Sequence, residues 1–202
     1  MGIQKAVDRI AENIDEKQDI ILSNLTPESV AVYSFLKDEY AKGDILHNLV
    51  FQFAFRSYYR MDGAGLSDEL KHRFFELMAK KQTNLETILS ELHKIPTLKG
   101  KNTMQFSFAT KLMHTIDNSK PIFDSKIAHV TKIRPKASDE DTKIRSCVEA
   151  YESLEKLYET LDKDPKIKGV ISKFRSRFSV DEKNVSDTKV LDFLLWSLGK
   201  SK

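Results

Sequence analysis

Cysteine is all but missing from this chain: Cys147 is the one such residue among 202. A disulfide framework, a zinc site built on cysteines and a four-cysteine iron–sulfur cluster are thereby excluded. Cys147 itself, alone in a helical stretch, reads as a small buried hydrophobe. Glycine and proline are scarce as well, with 7 and 5 residues, about half the usual share. That scarcity argues against a turn-rich all-β fold and for long helices. Long apolar runs are missing too. The longest uncharged stretch, 45–55, spans 11 residues and contains His47, Asn48 and Gln52, too short and too polar to cross a bilayer. No charge dominates: 33 basic and 30 acidic side chains leave a net charge of +3, so a partner must be read from where the charges cluster. The opening Met1-Gly2-Ile3-Gln4-Lys5-Ala6 turns charged too soon for a secretory signal. Ala6 stands where a myristoylation signal wants Ser or Thr. A cytoplasmic protein without a membrane partner is expected.

Several catalytic signatures are also missing. Gly63-Ala64-Gly65 lacks the third glycine of a dinucleotide loop, and no glycine run precedes a Lys-Ser or Lys-Thr pair. The five histidines, at 47, 72, 93, 114 and 129, form no His-x-x-x-His pair, and no Gly-x-Ser-x-Gly elbow occurs. Neither a metal nor a nucleotide cofactor is expected.

What is present is helical periodicity in a chain that is 40% hydrophobic, enough for one globular domain with a real core. Thr26-Pro27-Glu28 marks a helix start, and the spacing carries that helix to Lys42-Gly43. Further helices are predicted from Asp44 to Tyr58, after a Ser67 cap, over 85–92, 103–116 and 125–132, from about Asp139 to Leu161, and from Asp187 to Gly199. The expected architecture is all-α, a single domain over 1–202 with lobes roughly at 26–95 and 96–202 around a cleft. Phe51, Phe53 and Phe55 read as core packing, and the basic run from Lys166 to Arg177 as a solvated face.

The informative stretch is 98–136. Leu98-Lys99-Gly100-Lys101-Asn102 forms a short polar hairpin between two predicted helices, where free backbone N–H groups and two lysines suit an anion. In Gln105-Phe106-Ser107-Phe108-Ala109-Thr110-Lys111-Leu112-Met113-His114, the side chains of Ser107, Lys111 and His114 share a helix face. Pro121-Ile122-Phe123-Asp124-Ser125 follows, with Asp124 placed to cap the next helix. Lys126, Lys132, Arg134 and Lys136 then run without an acid until Asp139. Basic segments in a nearly neutral chain point to a polyanion.

Hairpin, lysine-bearing helix, Pro-x-x-Asp and basic flank together resemble the helix-hairpin-helix DNA glycosylase superfamily, in particular small bacterial proteins of its 8-oxoguanine-glycosylase-like branch. Two further segments carry the same resemblance: Tyr58-Tyr59-Arg60-Met61-Asp62-Gly63-Ala64-Gly65-Leu66, and the one from Leu191 through Trp196 to Gly199. The usual Leu-Pro-Gly-x-Gly hairpin is altered here, with Lys99 and Asn102 in place of its proline and second glycine.

The resemblance implies a catalytic pair, a lysine on the second hairpin helix and an aspartate beyond it. Asp124 fits the acid. Two positions are open for its partner. Gln105, 19 residues before Asp124, stands where the family spacing puts the lysine, and Lys111, 13 residues before it, belongs to a small-x-small-Thr-Lys pattern like that of the family hairpin. The implied activity is flipping a damaged or modified base out of double-stranded DNA and cleaving its N-glycosidic bond. Strand cleavage accompanies excision if Lys111 is the nucleophile, and the role is base-excision repair or attack on modified phage DNA.

The expected duplex contacts are Lys99, Gly100, Lys101, Asn102, Lys126, Lys132 and Arg134. The expected pocket residues are Phe106, Phe108, Tyr58, Tyr59 and His114, with Trp196 a further aromatic candidate. A monomer is expected. The alternatives are a non-catalytic helix-hairpin-helix module that only binds duplex DNA, and an all-α protein-interaction domain.

Overall fold

The computed structural model describes residues 2–136 and 140–200, the side chains of 140 and 141 excepted. Among the described residues there are eleven α-helices and no strand. They are α1 (Ile3–Glu16), α2 (Gln18–Ser23), α3 (Pro27–Ala41), α4 (Leu49–Tyr58), α5 (Asp68–Ala79), α6 (Leu85–His93), α7 (Phe106–Ile116), α8 (Ser125–Thr131), α9 (Glu140–Leu161), α10 (Pro165–Phe178) and α11 (Asp187–Leu198). Among the described residues no helix is long and apolar enough to cross a membrane.

Most helix starts are set by a side chain that accepts an otherwise orphaned backbone N–H. Thr26, Asn48, Ser67, Asn84 and Ser186 cap α3, α4, α5, α6 and α11 in this way. Asp124 and Asp164 each accept two N–H groups, at α8 and α10.

The observed elements differ from the sequence reading at four places. α4 begins at Leu49, five residues later than expected, because the Asn48 side chain takes the Phe51 N–H (2.9 Å) and starts the helix there. Phe51 and Phe55 then share the buried face, and Phe53, nearly opposite them on the helical wheel, is 65% exposed, not core. α7 begins at Phe106, and Asp139, the expected start of α9, lies outside the described residues. The basic run from Lys166 is a helix, α10, that buries Ile167, Val170, Ile171 and Phe174. α1 and α2 occupy the segment before Thr26 for which no element was expected, and α1 buries Val7, Ile10, Ala11 and Ile14 at helical intervals.

α11 holds the centre, packed against α1, α2, α8 and α10. Nine of its twelve residues are buried, as expected for a helix enclosed on all sides. Two of the nine, Lys189 and Asp192, are ionic. Its end sits directly on α8: a Cβ at Gly199 would lie 2.7 Å from the Lys126 carbonyl oxygen, so only glycine allows this approach.

Candidate active site

α7 presents Phe106, Ser107 and Lys111 to a cleft of about 1020 Å³. The chain then returns past Pro121 to bring Asp124 to the same cleft. Two hydrogen bonds hold the return: the Phe123 N–H donates to Thr110 Oγ1 (3.0 Å), and the Tyr151 hydroxyl to the Pro121 carbonyl (3.1 Å). The rings of Phe106 and Phe123 meet at 4.3 Å between centroids. Asp124, at the first position before α8, accepts the Lys126 and Ile127 N–H groups through Oδ1 (both 2.8 Å), which leaves Oδ2 outside the cap.

Lys111 is 8% exposed. Its amine donates to Ser107 Oγ (2.6 Å), one turn back, and lies 4.9 Å from the Phe108 ring centroid and 5.7 Å from that of Tyr59. Burial lowers its pKa to about 8; the carboxylates of Asp124 and Asp192 oppose the shift, and Lys189 adds to it. At that value about one amine in ten is unprotonated at pH 7, against fewer than about one in a thousand for an ordinary lysine. An amine of this kind is a usable nucleophile.

Sequence reasoning missed an ionic pair in the cleft. Lys189 Nζ donates to Asp192 Oδ2 (2.7 Å), one turn apart on α11, and both side chains are buried and line the cleft. The Lys189 amine also lies 4.6 to 5.9 Å from the ring centroids of Phe193, Tyr33, Tyr58 and Tyr59, a cation held by aromatic faces. Burial pushes Asp192 up, with Lys189 pulling it back. The signal in the sequence was faint: a lysine and an aspartate at i, i+3 inside a helix otherwise read as apolar.

Around the mouth stand Arg60, Lys126, Arg134, Lys143 and Lys200. Lys200 Nζ sits 3.6 Å from the Trp196 ring centroid. Its pKa is lowered, by burial first and then by Arg60 and Lys126. Clustered cations at a cleft whose described lining holds two carboxylates, Asp124 and Asp192, favour an anionic ligand whose neutral portion enters.

Of the residues singled out from the sequence, Asp124, Lys111, Lys126, Arg134, Phe106, Tyr58, Tyr59 and Trp196 line this cleft. Gln105, Phe108, Lys132 and His114 do not. Gln105 is buried before α7 and donates to Thr103 Oγ1 (2.6 Å). Phe108 reaches the site only as a ring beside the Lys111 amine. Lys132 is exposed in a left-handed conformation at the end of α8.

His114 is 1% exposed and lines a separate cavity of about 310 Å³ with Tyr33 and Tyr59. Its Nδ1 lies 2.6 Å from the Lys120 carbonyl, which only accepts, so Nδ1 carries the proton. Nε2 then accepts from the Tyr33 hydroxyl (3.0 Å). His114 is therefore a neutral structural bridge that lines a different cavity from Lys111.

Lys99, Gly100, Lys101 and Asn102 are exposed in the turn between α6 and α7. Gly100 takes a left-handed φ of 69°, its N–H bonded to the Thr97 carbonyl (2.8 Å), and the Thr97 N–H is bonded to the Lys101 carbonyl (3.0 Å). These four residues stand outside the cleft lining, ahead of the N-terminal end of α7.

Two of the α10 cations are engaged elsewhere: Lys168 pairs with Asp162 and Asp187, and Arg175 with Asp187. Among the described residues no group of three or more His, Cys, Asp or Glu side chains is placed to hold a metal ion. No family model, curated protein or solved structure matches this chain.

Proposed function

We propose that this protein is a DNA glycosylase that takes a damaged or modified base out of the duplex and cleaves its bond to the sugar. The observation that carries the reading is that a buried lysine amine, Lys111, and a carboxylate, Asp124, line one cation-rimmed cleft. The resemblance to the helix-hairpin-helix glycosylases adds a second support, since the α6–α7 turn bears exposed Lys99 and Lys101 beside Gly100. In this reading that turn and the rim cations Lys126 and Arg134 hold phosphates.

The flipped base enters the cleft and packs on Tyr58, Phe106, Phe123 and Trp196. As the C1′–N bond breaks, its electron pair leaves with the base and positive charge grows on the sugar, which Asp124 stabilises. The neutral Lys111 amine attacks C1′, and the proton of the resulting ammonium passes to the departing base. Opening of the C1′–O4′ bond gives an imine to Lys111, from which β-elimination cuts the strand. Of the two positions that the sequence left open, Lys111 lines the cleft and Gln105 does not, so the reading takes Lys111 as nucleophile.

The test uses purified protein on undamaged duplex, duplexes carrying 8-oxoguanine, uracil or an alkylated base, and phage genomes with modified cytosine. At least one substrate is expected to yield abasic sites or cut strands with wild type, and neither with Asp124→Asn. Retained duplex binding with no product on any substrate would overturn the reading in favour of a binding-only module.

A further inference from the structure

The Lys189–Asp192 pair is unused by the reaction as described, yet it lines the same cleft as the residue that performs it. The amines of Lys111 on α7 and Lys189 on α11 address the same ring, at 5.7 and 5.9 Å from the centroid of Tyr59. Lys189 is 2% exposed, and its partner Asp192 has a second carboxylate oxygen, Oδ1, that is buried without a hydrogen bond. A buried ion pair of this kind is weak as a source of stability, and α11 could bury two apolar residues at these positions instead.

We infer that Lys189 and Asp192 form a positioning pair for the Lys111 amine, a fixed cation and a fixed carboxylate that set how readily this amine serves as a nucleophile. The inference rests on the reading of Lys111 as the reactive group of the cleft.

Helices α5 and α6 pack on α7. Tyr59, directly after α4, presents its phenol, and the start of α8 presents Asp124. The buried side chains of α5 and α6 are apolar throughout. α11 supplies Lys189 and Asp192, which act on Lys111 with opposite sign, Asp192 the more strongly. Around the pair itself stand Tyr33 from α3, Tyr58 at the end of α4 and Tyr59 after it, His114 from α7 and the Tyr158 phenol from α9. Lys168 and Arg175 of α10 are held by Asp187.

Two variants therefore move the amine in opposite directions. Lys189→Met removes the repelling cation and leaves Asp192, so Lys111 holds its proton to higher pH. Asp192→Asn removes the stronger, attracting charge, so Lys111 releases its proton at lower pH.

The experiment pulses the intact protein with formaldehyde and cyanoborohydride between about pH 6 and pH 10 and reads methylation of Lys111 by peptide mass spectrometry. Formaldehyde and the free amine condense to an imine with loss of water, and cyanoborohydride delivers hydride to the imine carbon. Wild type is expected to label with a midpoint near pH 8. The midpoint should rise by about one pH unit in Lys189→Met and fall by a similar amount in Asp192→Asn, with Lys189→Arg close to wild type. Asp192→Asn is isosteric and carries the test alone should Lys189→Met not fold.

Midpoints that stay put in folded variants, or move in the same direction, would overturn the inference. The readout needs no DNA. Opposite shifts with no excision on any duplex would leave the pair's role standing and remove the glycosylase reading, and excision without shifts would do the reverse.

Discussion

At pH 7 most Lys111 amines carry a proton inside a site that favours the neutral form, and this mismatch costs stability. The pKa is about 8 in the folded chain against an ordinary 10.5. The unfolded chain thus binds more protons between these values, and stability rises with pH through that window; below about pH 8 the penalty is complete. Lys111→Met, similar in length and uncharged, is expected to stabilise the protein at pH 7 by about 1–3 kcal/mol while ending reactivity, the trade expected of a functional group. Urea unfolding at pH 7 and above pH 10 checks this, because the gain should shrink at the higher pH.

His114 follows the same sign at lower pH. Burial first, and Lys189 next, lower its pKa to about 3. Stability contributed by its neutral form is full above about pH 6.5 and falls as the pH drops toward 3. A His114→Gln variant should show a flatter loss of stability between about pH 6.5 and 4 than wild type. Lys111 and Asp124 were legible in the sequence because a lysine in a small-residue pattern and a Pro-x-x-Asp cap stand out locally. Lys189 and Asp192 were not, because their meaning comes only from burial against α3 and α4.

At the scale of elements, capping explains both what the sequence revealed and what it hid. Thr26-Pro27, Ser67 and Asp124 announced their helices. Asn48 overrode the apolar periodicity that suggested an earlier start for α4, and the charged surface of α10 masked the helical spacing of its four buried residues. Asp124 holds a cap and, in the proposed chemistry, a charge, and two variants separate these roles. Asp124→Asn retains a good N-cap and should leave stability nearly unchanged, whereas Asp124→Ala should lose about 1 kcal/mol; both should abolish excision. Gly199 tests the seating of α11 on α8. Gly199→Ala sets a methyl 2.7 Å from the Lys126 carbonyl oxygen, and the expected cost is about 1–3 kcal/mol by thermal or urea unfolding.

Across the whole molecule, the all-α class follows from scarce glycine and proline and from periodicity, which are local properties. The site does not. It draws on Tyr58 and Tyr59, Lys111, Asp124, Arg134 and the α11 pair, segments that meet only because α11 is enclosed by helices from both ends of the chain. A net charge of +3 says little about partners, but cations gathered at one mouth do. Duplex binding should weaken steeply with salt, and Lys126→Ala and Arg134→Ala should each lower the slope of log K against log salt by about one.

The most direct test of the account is borohydride trapping of the wild-type protein on the substrate panel, alongside Lys111→Met and Asp124→Asn. The account predicts a protein–DNA adduct on at least one modified duplex, mapped to Lys111 and lost in both variants. Excision that proceeds in Lys111→Met with an adduct on another lysine, or at the wild-type rate in folded Asp124→Asn, would contradict it.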